Sequence, residues 1–472
     1  MSASEVRTPG QVESGEHRPT AGRGVRVLAD LFPAPAGAAP RAGLARWASI
    51  LVQVVAVALG VAVMLVRIGN RPVWDSVYGE DPRIYLPQAL AHPWHLLQSY
   101  AGYLQLVPRV IGQVAALVPV RDASVVFAVG GALVASGCGL FAYHASAGQV
   151  SSRWLRALVG LSVVLLPVAP LEIADNGVNS MWYLLAALFW AALWRPRSRA
   201  GAAIAAVVTF AAAASSSLSL LFAPLFVARA AAVPRRPREH AATAGWALGC
   251  LLEVVTIATS HVSRVRPHHL VNAVLFYAHD VLLPALGWHI SWDLRRAIGL
   301  TGATMIMGGF IAVVLAIAVL TQPGRCRVFI LTAVATSLVS TAATSALAWN
   351  GLGLRETLGV EYGARYSTLP ILLLDAALVV AADTYVRRWW PHPKAIAAVV
   401  ALVAVLGAGW ATDFRYPVRR FSGPASAWEH TASNWLRRCQ HTQAGTVTVT
   451  FRNWWGSPVR LATTFSCTSL RH

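Results

Sequence analysis

YLQLVPRVIGQVAALVPV, residues 103–120, is the stretch on which the fold turns. It is apolar enough to be drawn as a membrane span. Drawn that way, it inverts every later connector and puts the arginine clusters on the outer side. Left on the surface as an interfacial helix, it brings those clusters to a single side. They are Arg153 and Arg156, Arg195 with Arg197 and Arg199, the VPRRPREH run (Arg235, Arg236, Arg238), Arg325 with Arg327, and Arg387 and Arg388 with Lys394. Basic connectors mark the cytoplasmic side of a polytopic protein, so the surface reading is preferred.

Composition agrees with that class. The chain has 472 residues, 56% hydrophobic and only 12% charged, with a mean hydropathy of +0.54. Soluble domains carry about a quarter charged residues. The formal charge of +19 is read as orienting arginines, so nucleic acid is not an expected partner.

Residues 1–45 read as a disordered cytoplasmic arm, rich in Pro, Gly, Ala, Glu and Arg. The first apolar stretch, Trp47 to Ile68, is too long for a signal-peptide core and is expected to stay as a span. Further spans are expected near 123–146, 154–171, 179–194, 200–214 with 217–231, 242–262, 297–321, 326–349, 368–386 and 394–412. SSSLS interrupts the 200–231 pair, which is either two short spans or one broken hairpin. The expected fold is an all-α polytopic membrane protein of about 11 transmembrane helices within 46–412. Its N-terminus is inside and its C-terminus outside, and interfacial helices occupy the first outer loop, 69–122.

The tail, 413–472, is expected to form a small extracytoplasmic α+β domain. SAWEHTASNWLRRC reads as a helix, and TVTVTF and VRLATTFSC as strands. Of the five cysteines, Cys138 and Cys250 fall in spans, Cys326 at a span edge, and Cys439 and Cys467 in this tail. An oxidising outer compartment favours a Cys439–Cys467 disulfide, which would help a domain of about 60 residues; two unpaired thiols are the alternative.

The outer side collects the polar chemistry. YGEDPRIYLPQAL (78–90) sets Glu80 beside Asp81 just before Pro82. Asp81 stands where a helix N-cap belongs, and it is equally placed to act as a general base on a hydroxyl at the membrane surface. Arg365 and Tyr366 in GARYS can hold a phosphate or anchor a helix end. Arg264, Arg266 and His268 (with His269) form a second cluster, read as phosphate partners or as a solvated loop. In LEIADNGVNS, Glu172, Asp175 and Asn179 lie close to Trp182 and Tyr183, which suits sugar recognition or a capped turn. His268 and His269, together with His279 and Asp280 in YAHD, could suggest a metal but match no established ligand spacing, so no cofactor is certain and a divalent metal stays possible but unsupported. Glu253 and Asp375 sit inside spans and need partners; Asp375 is expected to share a cavity with Arg365.

A first span, an outer loop opening on Glu80-Asp81, and interfacial helices ending in Gly102-Tyr103-Leu104-x-Leu106-x-Pro108-Arg109 resemble the GT-C membrane glycosyltransferases. NGVNSMWYLLAALFWAALWRPRSR, GARYSTLPILLLDAALVV and the Trp/Cys-containing tail are similar to a group of actinobacterial multi-span proteins of that type. The resemblance implies transfer of a sugar from a polyprenyl-phosphate donor to a cell-envelope glycan or lipid acceptor on the outer face. It also implies a catalytic carboxylate in the first outer loop, at Asp81 with Glu80 as neighbour or alternate. One carboxylate suffices there, because the phosphate leaves already charged, and basic groups hold it. A transporter or flippase of lipid-linked sugars and a non-enzymatic envelope protein are the competing functions.

Overall fold

The computed structural model describes residues 29–33, 44–67, 73–75, 77–174, 176–260, 270–347, 364–415, 428–441, 445–452 and 460–467. In chain order the helices are α1 (Leu44–Val66), α2 (Leu86–Ala91), α3 (Leu106–Ala115), α4 (Ala123–Ala145), α5 (Arg153–Leu165), α6 (Ser180–Leu193), α7 (Arg199–Ala213) and α8 (Ala223–Ala232). They continue as α9 (Pro237–Thr259), α10 (Leu270–Phe276), α11 (Trp288–Thr321), α12 (Gly324–Leu347), α13 (Ala364–Trp389), α14 (Pro393–Thr412) and α15 (Trp428–His441). An antiparallel hairpin, β1 (Thr446–Arg452) and β2 (Arg460–Ser466), follows.

The stretch 103–120 does not form a spanning helix. Its helical part, α3, has 10 residues, about 15 Å, half the roughly 30 Å of a hydrocarbon core. Its free N-terminal amides meet the SSSLS break: Leu106 N–H donates to Ala214 O and Val107 N–H to Ser215 Oγ, both at 3.0 Å. Those are groups a helix start leaves unpaired. The break itself turns the chain back, so α7 and α8, the latter preceded by a 3₁₀ turn over Ser217–Phe222, form a hairpin of two short helices.

The protein is an all-α, multi-pass membrane protein. Among the described residues, α1, α4, α9, α11, α12, α13 and α14 contain stretches long and apolar enough to cross a bilayer. α11 breaks at Gly299, whose φ of +78° suits a residue without Cβ, so its apolar part begins near the expected residue 297. α1 lies at the rim, with Trp47, Leu51 and Val52 exposed. α6, by contrast, has every residue buried, and α13 is almost as enclosed. Small residues allow the close crossings: a Cβ on Gly245 or Gly249 of α9 would come within 2.2 Å of Ala206 O or 2.6 Å of Ala213 Cβ in α7, a small-xxx-small contact.

The basic connectors do gather on one face. Arg195 pairs with Glu239 at 3.1 Å, Arg238 donates to Arg197 O, Arg325 to Gly148 O and Arg388 to Thr321 O. Residues 29–33, expected to be part of a disordered arm, instead dock there. Leu31 and Phe32 are buried, and Gln149 Nε2 donates to Leu31 O at 2.8 Å, so apolar burial and hydrogen bonds to its backbone together hold the segment.

At the opposite end the tail shares one apolar core with the first loop. Trp428, Trp435 and Phe465 pack with Tyr78, Tyr85 and Phe127. Trp428 Nε1 donates to Val120 O at 2.8 Å and Thr463 Oγ1 to Arg83 O at 3.3 Å. Cys439 and Cys467 are joined, Sγ–Sγ 2.02 Å, tying α15 to the end of β2 inside that core.

Candidate functional site

The acidic pair at the opening of the first loop divides. Asp81 begins a π-helical turn, Asp81–Tyr85, in which Glu80 takes the N-cap position and no side chain caps it. Asp81 therefore does not cap its own helix. It is fully buried, and its two oxygens accept the N–H groups of Gly177 and Val178, each at 3.0 Å. Those amides belong to the turn before α6, so Asp81 clamps the start of a helix nearly a hundred residues downstream. Burial pushes its carboxyl well above the usual range, the Gly177 amide opposes this, and neighbouring Glu80 adds to it. The turn can sit so low because α4 offers Gly131, where a Cβ would come within 2.4 Å of Asn176 O.

Glu80 is half-buried, and its carboxylate makes no hydrogen bond or ion pair among the described residues. It lies within electrostatic reach of Tyr78, Tyr85, Tyr100 and Arg365.

Arg365, at the first turn of α13, meets Glu172 from the short helical turn Ala169–Glu172. Its Nη1 lies 2.9 Å from Glu172 Oε1, and its backbone N–H donates to Oε2 at 3.1 Å. The Glu172 side chain is 2% exposed and that of Arg365 27%, so the acid is sealed and the cation remains open on one side. Tyr78 OH donates to Glu172 Oε1 at 2.9 Å and accepts from Arg365 Nη1 at 3.3 Å. Arg365 Nη2 donates to Tyr366 OH at 3.3 Å, and Trp182 stands edge-on to Tyr366 at 5.5 Å. Burial keeps the Tyr78 hydroxyl protonated; Glu172 reinforces this and Arg365 opposes it. Tyr85, next to the open carboxylate, is also held protonated by burial.

The interfacial hairpin frames these groups. Arg109 donates to Gln88 Oε1 at 2.9 Å and to Leu104 O at 3.1 Å, with its guanidinium 5.8 Å from the Tyr85 ring centre. It ties α2 to α3. Tyr100 and Tyr103 bridge to each other through their backbones. The tyrosines of YGEDPRIY and SYAGY were legible as membrane anchors; their convergence on Glu80 and Arg365 needed the tertiary structure.

Other expected site residues fare differently. Asn179 is buried, and its amide donates to Glu172 O at 2.9 Å, a position that holds the turn. Asp175, Arg264, Arg266, His268 and His269 lie outside the described residues. Glu253 finds its partner in Leu104 N–H, at 3.0 Å, which fastens the loop 100–105 to α9. Asp375 does not join Arg365: it is enclosed among Val159, Ser162, Ala186 and Trp190, because its place on α13 faces α5 and α6. Among the described residues no three His, Cys, Asp or Glu side chains gather as a metal would require.

Comparison with protein-family models and a search of curated proteins each return no match.

Proposed function

We propose that the protein is a membrane glycosyltransferase. It moves a sugar from a polyprenyl-phosphate donor to a cell-envelope acceptor at the face opposite the arginine-rich connectors. The observation that carries this reading is the half-buried carboxylate of Glu80 within electrostatic reach of the part-exposed guanidinium of Arg365, itself fixed by sealed Glu172. In this scheme α1, α4 to α9 (with the 3₁₀ turn before α8) and α11 to α14 make eleven crossings. The N-terminus is cytoplasmic and the Glu80 face extracytoplasmic, in the cell membrane.

Glu80 takes the proton of an acceptor hydroxyl, and the freed oxygen bonds to the anomeric carbon. The bond from that carbon to the phosphate oxygen breaks, with its electron pair leaving on polyprenyl phosphate. Arg365 and the tyrosine hydroxyls stabilise that anion. Asp81 acts one step back, by holding the turn that carries the N-terminus of α6. The catalytic role expected in the first loop thus falls on the neighbour of the residue most like a helix cap.

A transporter would use its intramembrane acids as ligands along a path. Glu253 is bonded to backbone and Asp375 is enclosed, so that reading draws little support. The test is transfer in membranes from a polyprenyl-phosphate sugar. Glu80→Gln should cost about 10²–10⁴-fold in rate at normal expression and thermal stability. Full activity in this variant sinks the proposal.

A further inference from the structure

The arginine-rich face holds a separate cavity of about 510 Å³, between the α11–α12 turn, the end of α13 and the loop before α5. Arg325, Arg387, Arg388, Gln149 and Thr384 line it over an apolar floor that includes Cys326. Two carboxylates face these cations. Asp383, fully buried, lies 3.0 Å from Arg387 Nε but also receives the N–H groups of Ser151 and Ser152. Asp30, in the docked arm segment, faces Arg325. Three guanidiniums therefore oppose two carboxylates, one of them largely committed to backbone.

Each guanidinium has five N–H donors, and the described residues engage only part of them. Arg387 reaches Asp383 and Thr384 Oγ1, Arg388 reaches Thr321 O and Arg325 reaches Gly148 O. Trp389 and Trp390, 47% and 65% exposed, follow directly, and the Arg388 guanidinium lies 5.5 Å from the Trp389 ring centre. Exposed tryptophans beside basic residues mark the headgroup level of a bilayer, where phosphate groups are concentrated.

We propose that this cavity binds a phosphomonoester or phosphodiester group, independently of the reaction at Glu80. Forked guanidiniums match phosphate oxygens, and the volume suits a headgroup-sized ligand. The phosphate comes either from an anionic lipid of that leaflet or from a free phosphate compound.

Full-length protein in zwitterionic detergent would be titrated with inorganic pyrophosphate, short-chain phosphatidylglycerol and short-chain phosphatidylcholine. Saturable binding of at least one anionic probe is expected, with none of phosphatidylcholine. Pyrophosphate binding assigns a free phosphate source; phosphatidylglycerol binding alone assigns the lipid. Arg325→Gln combined with Arg388→Gln should weaken binding about tenfold or more. Should the double variant not fold, Arg388→Gln alone, at an exposed residue, should weaken binding about threefold. Failure of both anionic probes to bind, equal binding of phosphatidylcholine, or unchanged affinity in the folded variant would overturn the site.

Discussion

Two turns at opposite ends of the molecule are built alike. On the arginine-rich face Asp383 accepts the N–H groups of Ser151 and Ser152 just before α5. On the far face Asp81 accepts those of Gly177 and Val178 just before α6. Both aspartates are fully buried, and both satisfy amides that a helix start leaves unpaired. Glu172 differs from both. Among the described residues its carboxylate takes the backbone N–H of Arg365 and meets the side chains of Arg365 and Tyr78. A carboxylate that takes two backbone N–H groups is a clamp, although Asp383 also pairs with Arg387 at 3.0 Å. One shared with a part-exposed arginine and the Tyr78 hydroxyl holds a cation in place, and Glu80, uncommitted among the described residues, lies within electrostatic reach of that cation.

The contrast can be broken in several ways. The far-face turn rests against a core that the disulfide closes, so Cys439→Ser should cost about 2–4 kcal/mol, read as a lower melting temperature than wild type in non-reducing conditions. An unchanged melting temperature would separate the tail from the loop core. Asp81→Asn and Asp383→Asn should each cost about 1–3 kcal/mol, since an amide cannot accept both N–H groups. If Asp81→Asn melts normally but is inactive, Asp81 belongs to the chemistry and the clamp assignment fails. Arg365→Lys should keep the fold but weaken donor use about tenfold, seen as a raised KM for the polyprenyl-phosphate sugar, because an ammonium cannot reproduce the fork.

The smallest effect concerns a further acid, Asp280, whose Oδ2 has no partner among the described residues. Burial lifts its pKa to about 8, opposed by Arg295. A carboxyl raised in the folded state stabilises fully below its unfolded pKa and loses that contribution as pH rises through the folded value. Melting temperature should therefore decline between about pH 4 and pH 8 and level off above, and Asp280→Asn should flatten that decline. An identical pH profile in the variant would remove Asp280 as the cause.

Much of the architecture was legible. Apolar length and arginine placement are local properties of the chain, so the membrane class and the gathering of basic connectors followed from composition and spacing. The tail's helix, strands and cysteine pairing followed likewise from periodicity and compartment. The docked Leu31–Phe32 segment was not legible, because its partners lie more than a hundred residues away.

By itself the sequence determined where the chain is apolar, where it is basic, and that an acidic pair opens the first loop. Only the tertiary structure decided which acid of that pair is free. Adjacent residues on a tight helical turn point in different directions, and burial against Gly177 and Val178 consumes Asp81 while leaving Glu80 half-buried within electrostatic reach of Arg365. No local rule contains that choice, since the amides that make it come from residues 177 and 178.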